Sequence, residues 1–143
     1  MNKMLLSFSA ESKNESVARA CVAAFMLSAD PTVEAVNDVK TAVSEAVTNC
    51  VVHAYPDKCG EIMVECYFED DYIVISVKDH GVGIDDVEKA TQPFFTTRAE
   101  DERSGLGFTV IRSFTDDLKV YSEAGGGTCV IMKKRLIRSV ENA

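Results

Sequence analysis

One long amphipathic run constrains this chain more than anything else in it. From Asp30 to Tyr55 it reads DPTVEAVNDVKTAVSEAVTNCVVHAY. Asp30 is placed to cap free helix N–H groups, and Pro31 suits a first helical position. Val33, Val36, Val39, Val43, Val47, Cys50 and Val51 then recur at helical spacing and predict one apolar face. Glu45, Asn49 and His53 fall four apart and stack along another stripe. A wet side of an amphipathic helix would account for that stripe. Asn, however, is a poor helix-interior residue, so Asn49 asks for a reason. His53 taken alone reads as structural, closing the helix end where a positive charge is favoured.

The rest of the chain supplies a sheet for that helix to cover. Residues 4–10 alternate weakly, as an edge strand does. Ser12 and Glu15 have capping-box spacing before a helix over 16–27, marked by Val17, Cys21, Ala24 and Phe25. A Pro/Gly cluster at 55–60 is a turn, and strands follow at 62–68 and 72–78 around Glu69-Asp70-Asp71. After Asp79 the pattern becomes irregular up to Gly107, and a long irregular segment in a compact domain points to function. A helix over 108–114 and strands at 118–121 and 128–133 complete the order β-α-α-β-β-loop-α-β-β. This predicts an α+β two-layer sandwich, a mixed sheet with helices on one face. No repeat or linker divides residues 1–143, which are enough for one buried core.

Composition excludes several function classes. A net charge of −8 argues against direct nucleic-acid binding, which needs a basic face. Lys133, Lys134, Arg135 and Arg138 form one local basic cluster, which a solvated strand end explains equally well. Five cysteines without a C-x-x-C pair do not make a disulfide framework, and Cys21, Cys50 and Cys129 sit in apolar patterns as small core residues. Two histidines are too few for a Cys/His metal cage. The first ten residues are too short for a secretory signal and no run spans a bilayer, so the expected location is cytoplasmic, with no membrane partner.

Three motifs carry chemistry. Asp79-His80-Gly81-Val82-Gly83 follows directly on a strand. A carboxylate there can accept from an exocyclic amine, while the glycines let backbone approach a planar ligand. An ordinary Asp-Gly turn has the same letters. Ser104-Gly105-Leu106-Gly107-Phe108 leads into a helix and can cradle phosphates with backbone N–H groups. It is neither a Walker A loop nor a dinucleotide fingerprint. On the long helix, the Asn49 oxygen suits Mg²⁺, and Glu45 one turn earlier could take a proton from an attacking hydroxyl.

Their order along the chain is more specific than any of them singly. Glu45-x-x-x-Asn49, Asp79-x-Gly81-x-Gly83, a lid, Gly105-x-Gly107 and Gly127-Thr128 succeed one another. This arrangement resembles the ATP-binding domain family of gyrase, Hsp90, histidine kinases and the mismatch-repair ATPases (the Bergerat fold). Within it, the stretches Ser44–Asn49, His53–Tyr55, Gln92–Thr97 and Glu102–Phe108 are similar to the anti-sigma F factor family of endospore-forming bacteria. So are Asn14–Arg19 and Asp30–Thr32.

The resemblance implies a protein serine kinase that uses Mg-ATP, leaves ADP, and sequesters a sporulation sigma factor F as a homodimer. Its substrate would be an anti-anti-sigma factor. Asn49 is then the Mg²⁺ ligand, Asp79 the adenine reader, Gly81 and Gly83 the adenine-pocket loop, and Thr128 a second adenine-side contact. Ser104, Gly105, Gly107 and Phe108 would face the phosphates, Thr97, Arg98 and Arg103 would be lid contacts, and Glu45 the base. Arg19 would touch the sigma factor, although residue by residue it is an exposed helical charge. Cys50, Ala54, His80 and Arg98 depart from the family pattern, and Arg98 offers a planar fork where a lysine is expected. The competing class is the catalytic domain of a histidine kinase, which needs a phosphoacceptor histidine on a dimerising hairpin. An ATPase module driving conformational change, as in Hsp90, would need further domains.

Overall fold

The computed structural model describes residues 1–56, 59–84 and 102–137, with side chains in the last span from Phe108 onward. The elements are β1 (Lys3–Ser9), α1 (Asn14–Met26), a 3-10 turn (Leu27–Ala29), α2 (Val33–Asn49) and a π-helical turn (Cys50–Ala54). They continue with β2 (Glu61–Glu69), β3 (Tyr72–Asp79), α3 (Glu102–Phe114), β4 (Asp117–Glu123) and β5 (Gly127–Arg135). The α+β class holds. The strands form one sheet in the order β1-β2-β3-β5-β4, and every neighbouring pair is antiparallel. The mixed sheet expected from sequence is therefore corrected: two helices separate β1 from β2, whereas a parallel pair is usually joined through a single crossover helix.

Alternation along the strands decides which face is covered. Ile62, Val64 and Cys66 of β2, Ile73, Ile75 and Val77 of β3, and Val130 and Met132 of β5 join one core with the helices. Leu5 and Tyr121, out of phase with that set, stay 58% and 56% exposed on the other face. Burying a Val or Ile side chain contributes about 1.5–3 kcal/mol, so this one face dominates the stability of the layer.

Helix α2 is the spine, packed against both α1 and α3. Ala35, Val39, Ala42, Val43, Ala46 and Val47 are its buried stripe. Val33 lies on the opposite side of the helix from Ala35 and remains 76% exposed, so it drops out of the predicted face.

Both helix starts differ from the sequence reading. Asp30 adopts a left-handed conformation (φ 51°) and ends the preceding turn, its N–H donating to the Leu27 carbonyl. A residue before proline is pushed out of the right-handed helical region, and Asp tolerates the left-handed one. The cap of α2 is Thr32, whose hydroxyl accepts from the Ala35 amide at 3.1 Å. Helix α1 has no side-chain cap; Asn14 Nδ2 instead donates to the Ser9 carbonyl at 2.9 Å. Helix α3 already runs from Glu102, so the stretch read as a loop before Phe108 is helical backbone.

Two long-range links fix α2 on the sheet. Lys134 Nζ of β5 meets Asp38 Oδ2 at 2.8 Å, with both side chains less than a fifth exposed. Just beyond β5, the Leu136 N–H donates to the Asp71 carbonyl at 2.8 Å and its carbonyl accepts from the Thr32 amide at 2.9 Å.

Candidate nucleotide site

The site begins where central β3 ends. Asp79 is 3% exposed, and its Oδ1 accepts from the Gly81 amide at 2.9 Å and the Thr128 amide at 3.2 Å. The Cys50 thiol bonds to the same carboxylate; burial first, then the Asp79 charge and this bond, push the thiol well above its usual range. It therefore stays protonated and acts as a donor. Such a carboxylate keeps acceptor capacity for a further N–H donor.

The backbone after Asp79 admits no side chain at either glycine. A Cβ at Gly81 would overlap the Ala54 carbonyl, and Gly83 combines φ 77° with a similar overlap on the Glu123 carbonyl. Both glycines are required by close approach.

The β4–β5 hairpin closes the other side. Ser122 Oγ accepts from the Ile84 amide at 2.6 Å and donates to the Gly127 carbonyl at 3.0 Å. It lies 3.0 Å from Thr128 Oγ1, which is then the donor of that pair. The Gly125 amide donates to the Val82 carbonyl at 2.6 Å. Beside this knot lies an open depression of about 230 Å³ lined by Asp79, Ser122, Gly127 and Thr128 among others.

The end of α2 carries the other candidate residues. Asn49 is its last residue, and both polar atoms of the carboxamide are buried with no hydrogen-bond partner among the described residues. An orphaned buried amide costs roughly 1–3 kcal/mol. Glu45 lies one turn earlier, at the edge of a groove of about 340 Å³ that Arg19, Asn37, Lys40, Thr41 and Ser44 also line. The structure thus brings Arg19 and Glu45 to one groove. Arg19 pairs with Glu15 at 3.5 Å on the surface of α1, a contact of small energetic weight.

The Gly81 and Thr128 amides meet on Asp79, Gly83 closes the same loop, and Asn49 and Glu45 share α2. Arg103, Ser104, Gly105 and Gly107 lie on the first turns of α3, where side chains are outside the described set; Phe108 is buried. Thr97 and Arg98 lie outside the described residues. Among the described residues no group of three or more His, Cys, Asp or Glu could hold a metal ion, and no helix is long and apolar enough to cross a membrane. Sequence reasoning missed the contact of Cys50 with Asp79 and the Ser122 knot. A polar residue on the inward phase of β4, beside a glycine-rich turn, was the available signal for Ser122.

Comparison with known proteins gives this geometry a family. Residues 8–134 match the histidine kinase-like ATPase domain. The chain is 54% identical over 138 residues to an anti-sigma F factor of Caldanaerobacter subterraneus subsp. tengcongensis, covering 96% of each chain. It is 52% identical over 134 residues to an anti-sigma F factor of Clostridium acetobutylicum, covering 94% of each. A crystal structure of the RsbU and RsbW domains of a Mycobacterium tuberculosis protein shares the fold at 18% identity, with a TM-score of 0.68. The match covers 95% of this chain but only 33% of that one. An antiparallel sheet with a carboxylate at the end of its central strand, a helix ending in a buried asparagine, and relatives matched along nearly their whole length agree: the chain belongs to the histidine kinase-like ATPase domain family and, within it, to the anti-sigma F factor family.

Proposed function

We propose that this protein is an anti-sigma factor that binds sporulation sigma factor F and a Mg-ATP-dependent kinase for a serine of an anti-anti-sigma factor. The observation that carries the kinase reading is the buried Asn49 carboxamide, unsatisfied among the described residues one helical turn from Glu45. A hard-cation ligand of this kind fits Mg²⁺ shared with phosphate oxygens. The ion, when bound, neutralises charge on those oxygens.

Asn49 holds the metal side, and Asp79 with Thr128 reads the adenine. Gly81 and Gly83 give the base a backbone wall. The start of α3, with Arg103, Ser104, Gly105, Gly107 and Phe108, serves the phosphates, and Thr97 and Arg98 the terminal one. The serine oxygen of the acceptor bonds to the γ-phosphorus as the bond to ADP breaks, and the serine proton passes to the Glu45 carboxylate. Phosphoserine and ADP leave. Arg19 on the groove shared with Glu45 supports a partner surface next to the catalytic wall. The sigma-binding form is a homodimer working in the cytoplasm.

The test is Glu45→Gln with the small acceptor protein and labelled ATP. Wild type produces acid-stable phosphoserine; the variant binds ATP but transfers at least about a hundredfold more slowly. Near-normal transfer removes Glu45 as the base. Acid-labile phosphate would point instead to a histidine kinase domain, and free phosphate alone to an ATPase module. Arg19→Glu should lower sigma affinity while sparing phosphorylation, and light scattering should find a dimer.

A further inference from the structure

Three consecutive backbone N–H groups after β3 go to three different acceptors. The His80 amide donates to the Tyr55 hydroxyl at 2.8 Å, the Gly81 amide to Asp79 Oδ1 at 2.9 Å, and the Val82 amide to the Ala54 carbonyl at 2.9 Å. Two of the three acceptors belong to the end of the segment that carries Asn49. Tyr55 follows directly on the π-helical turn, is 8% exposed, and donates its hydroxyl proton to the Glu61 carbonyl at 2.8 Å. One oxygen thus ties three segments: the end of the Asn49 helix, the first residue of β2, and the loop that leaves Asp79. A π-helical turn is a rare, strained element that recurs at functional sites.

We propose that Tyr55 is a positioning residue for nucleotide recognition, its hydroxyl setting the loop His80–Val82, and with it the Asp79 carboxylate, in register with Asn49. This rests on the adenine-nucleotide reading given above. The reason is geometric. The Gly81 amide is bonded to Asp79, so a shift of residues 80–82 disturbs one of the two backbone amides that orient the carboxylate. Ala54 restrains that loop through its carbonyl, which no substitution at 54 removes. Tyr55 restrains it through a side chain, which a single oxygen deletion does remove. Phenylalanine keeps the ring in place but can neither accept from His80 nor donate to Glu61.

Tyr55→Phe is the test, read by direct binding of ATP, ADP and GTP to the purified protein and by turnover. The expected result is a Kd for ADP raised about three- to tenfold and an ATP-over-GTP preference lowered by a similar factor. Saturated kcat should stay within about twofold of wild type, because Asn49 and Glu45 are untouched. A purely structural tyrosine would lower the melting temperature and leave base preference alone. Thr32→Ala, destabilised at a distance from the site, is the control and should keep wild-type Kd and preference. Unchanged affinity and preference in Tyr55→Phe overturns the proposal. Should that variant not fold, amide exchange in wild type decides: saturating ADP should slow exchange at His80 and Val82 about tenfold or more, and equal rates overturn it. Wild type that binds neither ATP nor ADP would defeat the nucleotide reading itself, a separate outcome.

Discussion

The Asp79 carboxylate and the Thr128 amide, 49 residues apart in sequence, meet at 3.2 Å across the end of the β3–β5 ladder. That bond holds a buried carboxylate where strand, hairpin and helix end come together. Asp79→Asn keeps an acceptor oxygen but loses the charge that strengthens its bonds to N–H donors. Nucleotide affinity should fall about ten- to a hundredfold, measured by calorimetry. The variant should still fold, because Gly81 and Thr128 keep a partner.

Asn49→Ala separates stability from activity. The buried carboxamide lacks a partner among the described residues, and alanine is the better helix former. The ligand-free variant should be more stable by about 1 kcal/mol in urea unfolding while phosphoryl transfer is lost. A large loss of stability would mean that Asn49 has a structural partner after all.

Thr32→Ala removes the cap that the Asp30-Pro31 pair does not provide. Stability should drop by about 1 kcal/mol with nucleotide affinity unchanged. Asp30→Ala should not reproduce a cap loss, since Asp30 closes the preceding turn.

Burial, reinforced by the nearby Glu65 charge, pushes the Cys66 thiol up from about 9 to about 12. The unfolded chain releases this proton near pH 9, while the folded one holds it. Stability is therefore full below about pH 9 and declines as pH rises toward about 12. Cys66→Val, similar in volume, should flatten that alkaline decline in unfolding curves taken from pH 8 to 10.5 (values chosen, roughly, to bracket the onset).

What the sequence made legible was local. Period and spacing placed Glu45 and Asn49 on one helix and Asp79 at a strand end, because helical and strand repeats are written in consecutive residues. The order of the motifs carried the family. What escaped was set by contacts distant in sequence: Cys50 against Asp79, Ser122 against Ile84, and the antiparallel entry into β2. Asp30 was misread for a different reason. Its letters suit a cap, but its left-handed backbone closes the preceding turn, and a threonine two residues on took the role.

Leu136 fastens the start of α2 and the β2–β3 turn through one residue's amide and carbonyl. Tension applied from that side of the molecule would reach both at once, and would load the Lys134–Asp38 pair further along α2. The helix that ends in Asn49 is thus gripped near its beginning by the last strand, so a pull on residue 137 is a pull on the frame of the site. Under force the first event should be release of the first turns of α2, with the sheet intact behind it.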